Sequence, residues 1–180
     1  MNGKSAPSTP AARRTTRRPA AAPLSSSGAE NARPVATIRA ARRGDLDAVI
    51  ALDAQATGIE KREYWRTLFR RYGEPSAAER QFLVALDGAT VVGYVIGEVR
   101  DWEFGSPACG WVFAINVRPD TRLAGTGTRL LQAMCAVFRK AGTRTVRTIL
   151  SRDNTLILSF FRSQGMTTGP FIPLEMSLES

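Results

Sequence analysis

The sequence contains no histidine. Ser-His-Asp and Cys-His catalysis are therefore excluded, as are metal centres built on imidazole. Only two cysteines occur, Cys109 and Cys135, and no CxxC spacing relates them. That usage argues against a disulfide framework or a zinc cluster, so no metal is expected, and it fits a reducing, cytoplasmic compartment. No apolar run approaches the roughly 18 residues that a membrane span requires, and no membrane partner is expected. Acid–base chemistry is left to Glu, Asp, Tyr, Lys, Cys or water.

The 180 residues suit one domain with a sizeable core. The net charge of +9 is unevenly spread. Residues 1–34 hold Lys4, Arg13, Arg14, Arg17, Arg18 and Arg33 against Glu30 alone, and Leu24 is their only large aliphatic residue after Met1. Such a segment cannot bury enough surface to offset its chain entropy, so a disordered basic leader is expected. Its composition is shared with organelle transit peptides, but it lacks the apolar stretch of an export signal. Contact with nucleic-acid phosphates is a further reading of its arginines.

From Val35 onward the pattern alternates between elements. VATIR (35–39) reads as a strand. Asp45 reads as an N-cap before a helix carrying Leu46, Val49, Ile50 and Asp53 at helical spacing. A second helix is expected over 59–72, stopped by Gly73 and Pro75. Strands follow at 81–86 and 90–100, joined by the hairpin signal Asp87-Gly88. A further strand spans 110–117, then a helix over 127–141 closed by Gly142. A fifth strand at 145–150, a helix at 155–163 closed by Gly165, and a last strand at 171–179 complete the order. This predicts an α+β fold with a mixed sheet and about four helices, folded from 35 to 180.

The stretch VRPDTRLAGTG (117–127) joins a buried strand to a helix start. The first backbone N–H groups of a helix lack intrahelical partners, and the macrodipole adds positive character there. Gly125 and Gly127 allow an anion to approach the backbone. The Walker pattern fails because Gly127 is followed by Thr128 and Arg129, and the dinucleotide pattern fails because Leu130 stands where its third glycine belongs. A plain turn role for the two glycines stays open.

Val117, Pro119, Arg122, Gly125 and Gly127 match in register the motif V-x-P-x-x-[RQ]-x-x-G-x-[GA]. The stretch resembles the acyl-CoA-binding loop of the GNAT superfamily of N-acetyltransferases. SRDNTLILSFFRSQGM (151–166) resembles that family's second motif. The resemblance implies a largely antiparallel twisted sheet and acetyl-CoA as acyl donor. It implies a coenzyme pyrophosphate on the backbone of Arg122, Leu123, Ala124, Gly125, Thr126, Gly127 and Thr128. It implies a pantetheine arm beside Ile115, Asn116 and Val117 with Asn154 opposite, and an oxyanion held by the Val117 N–H. The tyrosine that donates a proton to the leaving thiolate in many members is Phe161 here, so water, Tyr94 or no donor takes that part.

The acceptor is expected to be a primary amine: a protein N-terminus, a lysine or a small molecule. An amine of pKa about 10.4 is neutral in only about one molecule per thousand at pH 7, so a base helps. Glu98, among apolar strand residues, is the first candidate, with a raised pKa expected; a wet-face polar residue is the bland alternative. Asp101 and Glu103 are further carboxylates, and Trp102 offers a face to a cation. Met134, Phe138 and Phe160 read as core, and Cys109 as inert. The rival readings are a non-catalytic acyl-CoA sensor and a nucleic-acid contact through the leader. A homodimer is left open.

Overall fold

The computed structural model describes residues 35–73 and 79–178, and the expectations placed on 1–34 lie outside them. Strand β1 (Thr37–Ala40) leads through a 3-10 turn to helices α1 (Leu46–Thr57) and α2 (Arg62–Tyr72). Strands β2 (Arg80–Asp87), β3 (Thr90–Arg100) and β4 (Cys109–Val117) follow in succession. Helix α3 (Thr126–Lys140), strand β5 (Val146–Arg147) and helix α4 (Thr155–Ser163) complete the described elements. The sheet order is β1-β2-β3-β4-β5; the first three pairings are antiparallel and β4–β5 is parallel.

Alternation along β2 explains the layering. Phe82, Val84 and Leu86 belong to a core with Val49, Ile50, Trp65 and Phe69 of α1 and α2. Leu83 and Ala85 belong to a second core with Leu130, Met134 and Phe138 of α3. Successive strand residues point to opposite faces, so helices cover the sheet on both sides. Met134 and Phe138 are core residues as expected. Gly88, at φ +59, makes the tight β2–β3 turn.

Three expectations change. Asp45 does not cap α1 with its side chain. Its carboxylate instead accepts from Arg39 at 2.6 and 2.9 Å and from the Arg42 N–H at 2.7 Å, tying the turn to β1. The fifth strand is two residues, not six. Arg147 bonds Ser106 Oγ at 2.8 Å and Cys109 Sγ at 3.3 Å, which anchors it beside the start of β4 and not along its length. Finally, residues 171–178 form no strand. Ile172, Leu174, Met176 and Leu178 keep their alternation but stay exposed, and Pro173 has no N–H to give a ladder.

Candidate active site

The seam between β4 and β5 is closed only at Gly110–Val146 and Trp111–Arg147. Beyond Trp111, β4 runs on for six residues without that neighbour. On its other side it stays paired with β3, apart from a bulge that leaves Phe113 unmatched. The Arg118 N–H donates to Val92 O at 2.8 Å. Alternation in an antiparallel ladder therefore turns the backbone polar groups of Val117 and Ile115 away from β3, to the side that β5 has left.

A cleft of about 670 Å³ opens there. Its walls come from Ile115, Asn116 and Val117 of β4, Gly125, Gly127 and Thr128 at the start of α3, and Asn154, Ile157 and Phe160 of α4. Asp53 and Thr57 of α1, with Tyr94 of β3, close the remaining side. The α3 end of the cleft has anion-binding character. Gly125 is the N-cap at φ +73, no side chain caps the helix, and its first turn holds no acid. The leading N–H groups therefore carry the partial positive charge of the helix end. A Cβ on Gly127 would sit 3.1 Å from Phe160 Cε2, so the glycine lets the α4 aromatic close against the first turn. This set fits the diphosphate of a coenzyme A thioester.

Most of the expected binding residues come together. Ile115, Asn116, Val117, Gly125, Gly127, Thr128 and Asn154 share the cleft. Arg122, Leu123 and Ala124 lie in the 3-10 turn Pro119–Ala124 that enters it, and their side chains lie outside the description. Thr126 is buried behind the glycines and donates to Thr121 O. The Asn154 Oδ1 accepts from the Ile157 N–H at 3.2 Å, capping α4 and leaving its amide NH₂ for a ligand.

Other expectations are corrected. Phe161 is buried in the α3 core and does not line the cleft; Phe160, read as core, packs against that core and also lines the cleft. The α4 residues that line the cleft, among them Leu156, Phe160, Ser163 and Gln164, centre on Phe160, and Phe161 is turned about 100° from it, one residue further along the helix. Glu98 does not line the cleft either. It accepts from the Tyr72 hydroxyl at 2.8 Å and from Arg100 Nε at 2.9 Å. Burial pushes its carboxyl up, but those two hydrogen bonds and the charges of Arg100 and Arg71 outweigh it, so the net direction is down, opposite to expectation. Asp101, Trp102 and Glu103 are exposed and lie away from the cleft, and Arg100 stacks over Trp111 instead. Tyr94 does line it, but burial, with the charge of Asp53 adding, drives its hydroxyl far above the ordinary range against an offsetting hydrogen bond from Asn116. It can donate a hydrogen bond there and is a poor acid. Cys109 is buried and accepts from Arg147.

One site residue went unassigned. Asp53 is the only charged residue lining the cleft among the described residues, and it is 6% exposed. Its Oδ2 accepts from Trp65 Nε1 at 2.9 Å and pairs with Lys61 Nζ at 3.0 Å. The signal was present: an aspartate on the apolar stripe of α1, at the spacing of Val49 and Ile50.

A family profile described as the acetyltransferase (GNAT) family matches residues 46–166. This chain belongs to that family. No curated protein matches the sequence. Among solved structures, it is similar to the aminoglycoside N-acetyltransferase AAC(6')-Iy in complex with CoA, at 17% identity and TM-score 0.69, covering 79% of this chain and 95% of that one. An aminoglycoside acetyltransferase from an uncultured soil metagenomic sample, in complex with sisomicin, aligns at 17% identity and TM-score 0.63, covering 81% and 97%. A protein described as a transcriptional regulator from Bacillus halodurans C-125 aligns at 17% identity and TM-score 0.66, covering 79% and 99%. At these identities the likeness is one of fold. None of the described helices is long and apolar enough to cross a membrane.

Proposed function

We propose that this protein transfers the acetyl group of acetyl-CoA to a primary amine by direct attack in a ternary complex. The observation that carries the reading is the split of β4 from β5, which opens onto a cleft ending at the uncapped start of α3. In this reading the α3 start and the preceding turn hold the coenzyme diphosphate. The backbone of Ile115 and Val117 serves the pantetheine arm, and the Val117 N–H is the donor assigned to the thioester oxygen. The Asn154 amide NH₂ reaches the arm from α4. The similarity to enzymes described as aminoglycoside N-acetyltransferases supports an amine acceptor of small-molecule type.

Glu98 is read here as a structural carboxylate, because Tyr72 and Arg100 already hold it ionised. The acceptor then attacks in the neutral form that solution supplies. Turnover should climb with pH toward the acceptor's own pKa, without a plateau near pH 7 set by Glu98. Release of free CoA thiol, followed with acetyl-CoA and a panel of amines across pH 6–9, is the test. Amine-dependent release supports the reading. Coenzyme binding with no release above hydrolysis for any amine replaces it with the non-catalytic acyl-CoA sensor, the role that Phe161 in place of a tyrosine favours.

A further inference from the structure

A carboxylate on the wall of a cleft for a polyanionic coenzyme has no use for the coenzyme itself. Asp53 repels phosphate, so its counterpart is a cation that enters beside the coenzyme. Its two oxygens differ. Oδ2 accepts from the Trp65 indole N–H and pairs with Lys61, whereas Oδ1 accepts no hydrogen bond among the described residues. A carboxylate this buried is destabilising unless a positive charge answers it. Lys61 supplies that charge from the α1–α2 connection, on a side chain that is 36% exposed. It is the kind of partner that a better cation replaces: its long stem loses rotamer freedom to hold the pair, and water competes for its ammonium.

We propose that Asp53 is the seat for the ammonium group of a cationic ligand, and that Lys61 is the resting occupant which that ligand displaces. The inference rests on the acetyl-transfer reading for calling that ligand the acceptor, but the seat is defined by Asp53, Lys61 and Trp65 alone. The exchange keeps the buried charge paired in both states. Trp65 fixes the carboxylate: its ring is 2% exposed and meets Tyr94 edge-on at 5.0 Å between centroids. Selection follows from this arrangement. A ligand with an alkylammonium gains the seat, and a neutral alcohol of the same shape leaves Lys61 in place.

The test is calorimetric titration of the CoA-saturated full chain with sisomicin and with spermidine, against Asp53→Asn and Lys61→Met. Asparagine retains an oxygen for the Trp65 N–H, so this variant keeps the anchor and loses the charge. Asp53→Asn is expected to weaken binding of both cations tenfold or more, the size of one lost charge-assisted hydrogen bond. Lys61→Met is expected to tighten it severalfold, which a merely structural Lys61–Asp53 pair would not do. If Asp53→Asn does not fold, Lys61→Met decides alone. No cation binding by the unaltered chain, or unchanged affinity in either variant, overturns the proposal. Release of CoA thiol from acetyl-CoA is scored separately. Cation binding that follows the expected pattern without thiol release sinks acetyl transfer and leaves the seat standing. Amine-dependent release with the same KM in all three chains does the reverse.

Discussion

The two edges of β4 are built in opposite ways. Toward β3 the strand is paired from Cys109 to Val117, broken only by the bulge at Phe113. Toward β5 it is paired at two positions and then parts. The closed seam is filled with residues that reach no solvent, among them Val95, Ile96 and Val112. The open seam is lined by glycines, by polar groups such as Asn116, Thr128 and Asn154, and by the side chains of Ile115, Ile157 and Phe160. A strand edge that its neighbour has left can be extended by a ligand with amides of its own. One strand thus divides its two edges between stability and binding.

The largest effect is expected on the closed side. A Cβ at Gly97 would lie 2.7 Å from both Phe138 Cζ and the Trp111 carbonyl, so Gly97→Val must push the β3–β4 ladder apart. We expect a loss of about 3 kcal/mol, visible as a fall in Tm of roughly 6–12 °C. Coenzyme affinity of the remaining folded protein should change little. An unaltered Tm would mean that this seam tolerates separation and that the contrast is misplaced. On the open side the effect moves from stability to binding. Gly127→Glu places a carboxylate at the start of α3 and crowds Phe160, and should weaken CoA by about 10²-fold, roughly 2.7 kcal/mol, with Tm nearly unchanged. Undiminished CoA affinity in a folded variant would remove the α3 start from the site. Asn154→Ala is smaller: it removes the cap on Ile157 N, and about 1 kcal/mol of stability should go with it in a denaturant melt. A loss of CoA affinity in Asn154→Ser, which keeps an oxygen for the cap but has no amide, equal to that in Asn154→Ala would show that the NH₂ also serves the ligand.

These contrasts were unequally visible in the sequence. The open seam was legible because its parts are contiguous: Val117 to Gly127 are strand end, turn and helix start in a single run. The hairpin at Gly88 and the core roles of Met134 and Phe138 were local patterns too. The environment of Glu98 was not, because Tyr72 meets it from 26 residues away and no spacing rule couples an α2 tyrosine to a β3 glutamate. The exchange of roles between Phe160 and Phe161 turns on one helical step of 100°, which the pattern of α4 alone leaves undetermined. Residues 171–178 show the opposite failure. A period of two specifies a face, but pairing needs an edge long enough to add to, and β5 offers only Val146 and Arg147.

The smallest effect sharpens the comparison at the point where the seams meet, since Glu98 is paired with Trp111, the last residue of β4 still joined to β5. The folded pKa of Glu98 is lowered from the ordinary 4.5. Its contribution to stability is therefore complete above about pH 4.5 and is lost as the pH falls through the lower folded value. Asp45 behaves alike, held down chiefly by the Arg39 hydrogen bonds. Glu98→Gln should cost below about 1 kcal/mol at pH 7, since Glu98 and Arg100 both remain partly solvated and glutamine keeps an oxygen for the Tyr72 hydroxyl. The difference in Tm between the two chains should shrink as a series of melts is taken from pH 6 down to pH 3. A constant difference over that range would mean that the carboxylate charge does not hold Tyr72 and Arg100 together. A pH–rate profile that loses an inflection near pH 7 in Glu98→Gln would restore it as the base and move the chemistry from the open seam to the closed one.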